Sequence, residues 1–142
     1  MRPAGGVGEI ILPRALGAEM IAHARAGAPS EVCGVLAGEL GQVTRVYPVA
    51  NIDPDPRRYL MSPRELLRSL RAIDELRLEL LGFYHSHPSS PALPSETDLA
   101  LAFYPECYYA IVSLQQPAVP VIRVFCLRAR RFEETLVRDE TG

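Results

Sequence analysis

His85 and His87, in the run HSHP at 85–88, are the residues of this sequence best suited to chemistry. If the apolar run ELLGFYHSH at 79–87 is a strand, residues i and i+2 share a face, and the two imidazoles stand side by side. They then sit at the C-terminal end of the strand, where sites in α/β sheets commonly lie. Paired imidazoles suit a tetrahedral metal such as zinc. Pro88 ends the strand because it has no N–H for the ladder. Two surface histidines at a strand end are also an ordinary, inert feature, so the pair does not define a site by itself.

Ser95 and Asp98 admit two readings. Ser95-Glu96-Thr97-Asp98 is a capping-box pattern, in which Ser95 caps a helix and Asp98 reaches back to the cap. Alternatively, Asp98 swings from the helix start towards the strand end as a third ligand. A hydrolytic zinc site keeps three protein ligands and one open position. It also needs a carboxylate that takes a proton from water without binding the metal. Glu31, which leads into the apolar run VCGVLAG, is the candidate; a solvated rim residue is the plainer reading. Glu39, Glu65, Glu79 and Glu96 are weaker rivals.

Together these residues make a recognisable pattern. A glutamate before a V-C-G-V-L strand, then H-S-H-P, then S-x-x-D after a spacer at 88–94, resembles the JAMM motif of the MPN+ metalloproteases. Every element is present, and the likeness runs over residues 8–127, including PSEVCGVLAG and YYAIVS. The chain is most similar to the compact stand-alone bacterial members, which include a peptidase that removes cysteine from the C-terminus of a ubiquitin-like sulfur-carrier protein. It lacks room for the insertions that eukaryotic deubiquitinating relatives use to grip ubiquitin chains. The resemblance implies one Zn²⁺ per chain held by His85, His87 and Asp98. It implies Glu31 as general base and Ser95 as a donor to the oxyanion. The implied reaction is hydrolysis of an amide at the Gly-Gly-like tail of a ubiquitin-like or sulfur-carrier protein. A small-peptide or amino-acid-conjugate hydrolase and a non-catalytic MPN interaction module are the alternatives. MPN domains often pair, so a homodimer is a further expectation, although no stripe marks its interface. The zincin motif H-E-x-x-H and the deaminase set H-x-E with P-C-x-x-C are both missing.

The elements around these residues follow from periodicity. EIILP at 9–13 reads as a short strand, and Leu16, Met20, Ile21 and Ala24 lie at helical spacing up to Gly27 and Pro29. EVCGVLAGEL and QVTRVYPV form a hairpin across 39–41. NIDPDPRR is a loop and RYLM an extended piece. Ser62, Pro63 and Glu65 mark a capped helix whose inner face is Leu66, Leu67, Leu70 and Ile73. A helix from Ser95 to Phe103, strands at CYYAIVSL and VIRVFCL, and a strand or helix over 131–137 complete the chain. The order predicts an α/β (α+β) domain, a curved mixed β-sheet flanked by helices. Residues 1–8 read as a flexible tail, 9–137 as the JAMM/MPN+ domain and 138–142 as a second tail.

At 142 residues the chain is of single-domain length. A net charge of −2 and the lack of a basic run argue against nucleic acid as a partner. No stretch is long and apolar enough for a membrane span, and the start MRPAGGVGEIILP has no signal-peptide core. A cytoplasmic protein is expected. Cys33, Cys107 and Cys126 show no C-x-x-C spacing and are expected to be free, buried thiols. All 15 basic residues are arginine, which codon bias explains.

Overall fold

The computed structural model describes residues 9–100, 104 and 106–139. The 1–8 tail, the far end of the 95–103 helix and residues 140–142 lie outside them. In chain order the elements are β1 (Glu9–Ile11), α1 (Arg14–Gly27), β2 (Cys33–Glu39), β3 (Gln42–Val49), α2 (Pro63–Glu75), β4 (Glu79–His87), α3 (Glu96–Ala100), β5 (Tyr108–Ser113), β6 (Val121–Arg128) and β7 (Arg131–Arg138). The 131–137 segment is thus a strand.

The strands lie in the order β1-β3-β2-β4-β5-β6-β7, and β1 closes the sheet into a barrel. β1 runs parallel to β3 on one side and to β7 on the other. β4 and β5 are also parallel, and the remaining pairs are antiparallel. The curved mixed sheet read from the sequence is present, and its curvature goes to closure.

A helix covers each face of the central strands. Met20 and Ala24 of α1 pack with Leu36, Leu81, Tyr84, Ala110 and Val112. Ile73 of α2, with Leu66 and Leu70, packs against Val35, Ala37, Leu80, Phe83 and Tyr109. Leu36 is flanked by Val35 and Ala37 on the opposite face, as strand alternation requires. Covered on both faces, β4 and β5 are apolar along most of their length rather than alternating. Leu67 was expected on the inner face of α2 but is half exposed. It falls off the 66-70-73 stripe, and Ser69 takes the buried position instead.

The start of α2 is only half of the expected capping box. Ser62 Oγ accepts the Glu65 N–H at 3.3 Å, and Pro63 occupies the first turn. The Glu65 carboxylate turns away and accepts the Ala50 N–H at 2.9 Å. The Ser62 N–H, left over, donates to the Ala50 carbonyl at 2.9 Å. The end of β3 is thereby stitched to α2, closing the base of the 51–61 loop.

A bulge sets which face the two histidines occupy. The β2–β4 register shifts so that Leu36 pairs with Gly82 and Ala37 with Leu80, leaving Leu81 as the extra residue. An extra residue reverses the alternation beyond it. Leu81 joins the α1 side, yet Phe83 joins the α2 side. His85 and His87 follow Phe83 in phase. Gly82 is required at this point, because a Cβ there would lie 2.0 Å from the Tyr108 carbonyl oxygen.

Candidate metal centre

β4 ends at His87, where both imidazoles are buried, and Asp98 at the start of α3 is buried beside them. His85 Nε2 and His87 Nε2 lie 3.1 Å apart. Asp98 Oδ1 is 3.1 Å from His85 Nε2, and Oδ2 is 3.1 Å from His87 Nε2. The two imidazoles and the carboxylate form a small triangle in which each Nε2 meets a different oxygen. The tautomer of neutral His87 is set from behind: its Nδ1–H donates to the Pro91 carbonyl at 2.9 Å, which leaves the Nε2 lone pair of the neutral ring for a metal.

This donor set fits a tetrahedral cation. Ligand atoms about 2.0–2.1 Å from zinc stand roughly 3.3 Å from one another, close to the 3.1 Å between the two imidazole nitrogens and between each of them and its nearer carboxylate oxygen. Imidazole nitrogens and a carboxylate oxygen suit zinc, and iron and manganese accept the same types. Burial lowers the basicity of His85, which favours the neutral ring a metal needs. Burial also pulls His87 down, but the bonds to Asp98 and Pro91 outweigh it and raise it. Burial opposes ionisation of Asp98, yet the two histidines hold its carboxyl far below the usual carboxylate range.

The capping-box reading of Ser95 and Asp98 is met, and the same carboxylate stands where the ligand reading needs it. Ser95 Oγ accepts the Asp98 N–H at 3.0 Å, and Asp98 Oδ2 accepts the Ser95 N–H at 2.8 Å, which makes the capping box. The same carboxylate faces both histidines, since two oxygens carry about four acceptor positions. Capping fixes the rotamer that aims Asp98 at the imidazoles. Ser95 itself is exposed on the cavity wall.

Glu31 comes from the opposite side, 54 residues before His85 in the chain, by way of the β2–β4 pairing. Cys33 pairs with His85, and Ser86 clamps the residue between Glu31 and Cys33. The Ser86 hydroxyl accepts the Val32 N–H at 2.8 Å, while the Ser86 N–H donates to the Val32 carbonyl at 3.0 Å. The Glu31 N–H donates to the Pro56 carbonyl at 2.9 Å, and its carbonyl accepts from Asn51 Nδ2 at 2.9 Å. Its Oε1 is buried with no hydrogen-bond partner among the described residues. Burial raises the Glu31 carboxyl to about 8; His87 opposes this, while Asp98, Asp55 and Asp53 add to it. The rival glutamates are elsewhere: Glu65 is held by Ala50, Glu79 accepts the Leu40 N–H, and Glu39 and Glu96 are exposed.

Glu31, His87, Ser95 and Asp98 line one cleft of about 330 Å³, shared with Pro29, Pro88 and the 56–59 segment of the loop before α2. Two residues of that loop escaped the sequence reading. Tyr59 stacks on His85 with ring centroids 4.7 Å apart and an interplanar angle of 24°. Asn51 holds the loop: Nδ2 donates to the Glu31 and Arg58 carbonyls, and Oδ1 accepts the Asp53 and Leu60 N–H groups. The alternation Asn51, Asp53, Asp55 was the available signal for the loop, because Asx side chains bond the backbone two residues on. Tyr59 carried none. The three cysteines are free and buried, as expected. No helix among the described residues is long and apolar enough to cross a membrane.

A closed mixed barrel that sets two histidines and an aspartate together, beside a glutamate whose buried Oε1 has no partner among the described residues, has the layout of a mononuclear metallohydrolase. The chain belongs to the family of prokaryotic homologs of the JAB domain, whose match covers residues 13–127. It is 44% identical over 101 residues to the desampylase of Haloferax volcanii, covering 66% of this chain and 73% of that one. It is 39% identical over 100 residues to the CysO-cysteine peptidase of Mycobacterium tuberculosis, covering 69% and 68%. Among solved structures, protein DSY2949 from Desulfitobacterium hafniense superposes with a TM-score of 0.86 at 37% identity, covering 94% of each chain. AF2198, a JAB1/MPN domain protein from Archaeoglobus fulgidus, shares the fold with a TM-score of 0.60 at 21% identity, covering 95% and 99%.

Proposed function

We propose that this chain is a zinc-dependent peptidase or isopeptidase that hydrolyses the amide bond at the Gly-Gly-like C-terminal tail of a ubiquitin-like or sulfur-carrier protein. The observation that carries this reading is the His85–His87–Asp98 group, opening through His87 and Asp98 on the cleft of Glu31, whose buried Oε1 has no partner among the described residues. A structural carboxylate is not left unsatisfied without reason. The names of the relatives, a desampylase and a CysO-cysteine peptidase, support the substrate class.

His85, His87 and Asp98 would hold the zinc. When bound, it supplies a Lewis acid that polarises the scissile carbonyl and makes water a nucleophile near neutral pH. Glu31 takes the proton from the attacking water and passes it to the departing amine. Its raised affinity for a proton suits the second task. The Ser95 hydroxyl uses its oxygen to accept the Asp98 N–H and keeps its own hydrogen for the developing oxyanion. Tyr59 covers the face of His85 and keeps water from it. Pro91 and the α3 cap hold His87 and Asp98 in place before substrate arrives.

The test is intact-mass analysis of a Gly-Gly-tailed carrier bearing one further residue, incubated with zinc-loaded enzyme. Cleavage after the second glycine is expected, together with its loss in Glu31→Gln. An uncut carrier in the presence of fully loaded enzyme would overturn the proposal.

A further inference from the structure

We propose that Arg57 and Arg58 receive the α-carboxylate of the residue released, so that the enzyme removes a terminal amino acid from the tail in preference to opening a lysine isopeptide. This deepens the function proposed above and rests on it. Among the described residues, Arg57 and Arg58 are the only lysine or arginine side chains lining the cleft that holds Glu31, His87 and Asp98.

Both guanidinium groups are held from one side and free on the other. Arg58 Nε faces Asp53 Oδ2 at 3.6 Å and Asp55 Oδ2 at 3.8 Å. Arg57 donates through Nε to Asp55 Oδ1 at 3.3 Å and through Nη2 to Asp55 Oδ2 at 3.4 Å. Among the described residues nothing engages either terminal nitrogen of Arg58, or Nη1 of Arg57. The segment that carries them is stiff. The Asp53, Asp55 and Arg57 N–H groups each donate to the side chain two residues earlier, and Pro54 and Pro56 fix the intervening φ angles. The Arg58 carbonyl is tied to Asn51, and its N–H donates to Asp55. Arg58 is therefore presented with an open edge suited to bidentate recognition of a carboxylate.

The chemistry of the leaving group selects this ligand. In a terminal amino acid the carboxylate is two bonds from the leaving nitrogen, so it must enter the cleft with the scissile amide. There it enters a cleft whose lining carries the carboxyl groups of Glu31 and Asp98, which repel an unaccompanied anion. Two arginines at the wall offset that repulsion. A lysine ε-amine brings four methylenes and no anion, and gains nothing from them.

Three substrates test the proposal. A ubiquitin-like carrier ending in Gly-Gly-Ala is prepared as the free acid and as the C-terminal carboxamide. The same carrier is also joined through Gly-Gly to the ε-amine of a lysine peptide blocked at both ends. The free acid should exceed the other two in kcat/KM by about 10- to 100-fold, the range of a charge-assisted contact. In Arg58→Gln the acid-to-amide ratio should fall towards one, with a smaller fall in Arg57→Gln. Both side chains are at least half exposed, so the variants should melt with the wild type. Equal cleavage of acid and amide, or a ratio unchanged in the double variant, overturns the arginine assignment and leaves the proposed function standing. Cleavage of none of the three overturns both.

Discussion

Replacing Glu31 by glutamine should remove activity and, at high pH, add stability. The side chain keeps its shape, so the ligand triangle and its metal are retained. Loss of the proton acceptor costs turnover about 10²- to 10⁴-fold. The stability effect follows from the rise of the Glu31 carboxyl from 4.5 to about 8, caused first by burial. A folded state that holds this proton more tightly than the unfolded one is fully favoured below pH 4.5. It loses that advantage as pH rises through about 8. The full difference corresponds to about 5 kcal/mol. Glu31 is only partly buried, and solvent screening reduces the expectation to about 2 kcal/mol. Metal-free Glu31→Gln should therefore melt with the wild type at acid pH and about 4–8 °C above it near pH 9. Thermal unfolding of both apoproteins across that range is the assay. Parallel curves would refute the claim that burial holds a proton on Glu31, whatever the activity shows.

Asn51→Asp keeps the acceptors for Asp53 and Leu60 but sets a carboxylate against the Glu31 and Arg58 carbonyls. It should lower kcat by more than about 10-fold with metal content intact, and stability by about 1–3 kcal/mol; an unchanged kcat would free Asn51 from positioning Glu31. Gly82→Ala places a Cβ 2.0 Å from the Tyr108 carbonyl, between two buried strands that have no room to part. A loss of about 3 kcal/mol or more in denaturant unfolding is expected, and a wild-type midpoint would contradict the β4–β5 register.

The candidate ligands were legible because their chemistry is local. His85 and His87 need only a strand between them, and Asp98 needs only a helix start nearby. Even so, cap and ligand read as rivals for Asp98, whereas one carboxylate leaves room for both: its oxygens meet the Ser95 N–H and two imidazoles at once. Glu31 was found through its motif context, while the means of its placement was hidden. That placement depends on Ser86 bonding Val32 across a non-local strand pair, and on Asn51 and Pro56 gripping its peptide. Barrel closure could not be read either, since it rests on parallel pairing of the short β1 with β7 at the far end of the chain. Leu67 was misplaced because four apolar residues on one helix do not state which three face the sheet. Tyr59 lies in a loop, and nothing in its neighbours announces that it stacks on His85.

Elemental analysis of the wild type beside Asp98→Ala tests the central claim most directly. Asp98→Ala removes the carboxylate that both histidines face, while Ser95 Oγ still accepts the N–H of residue 98. One zinc per chain is expected in the wild type and almost none in the variant. A variant that keeps its full zinc, or a wild type that takes up none when supplied with it, would contradict the three-ligand centre.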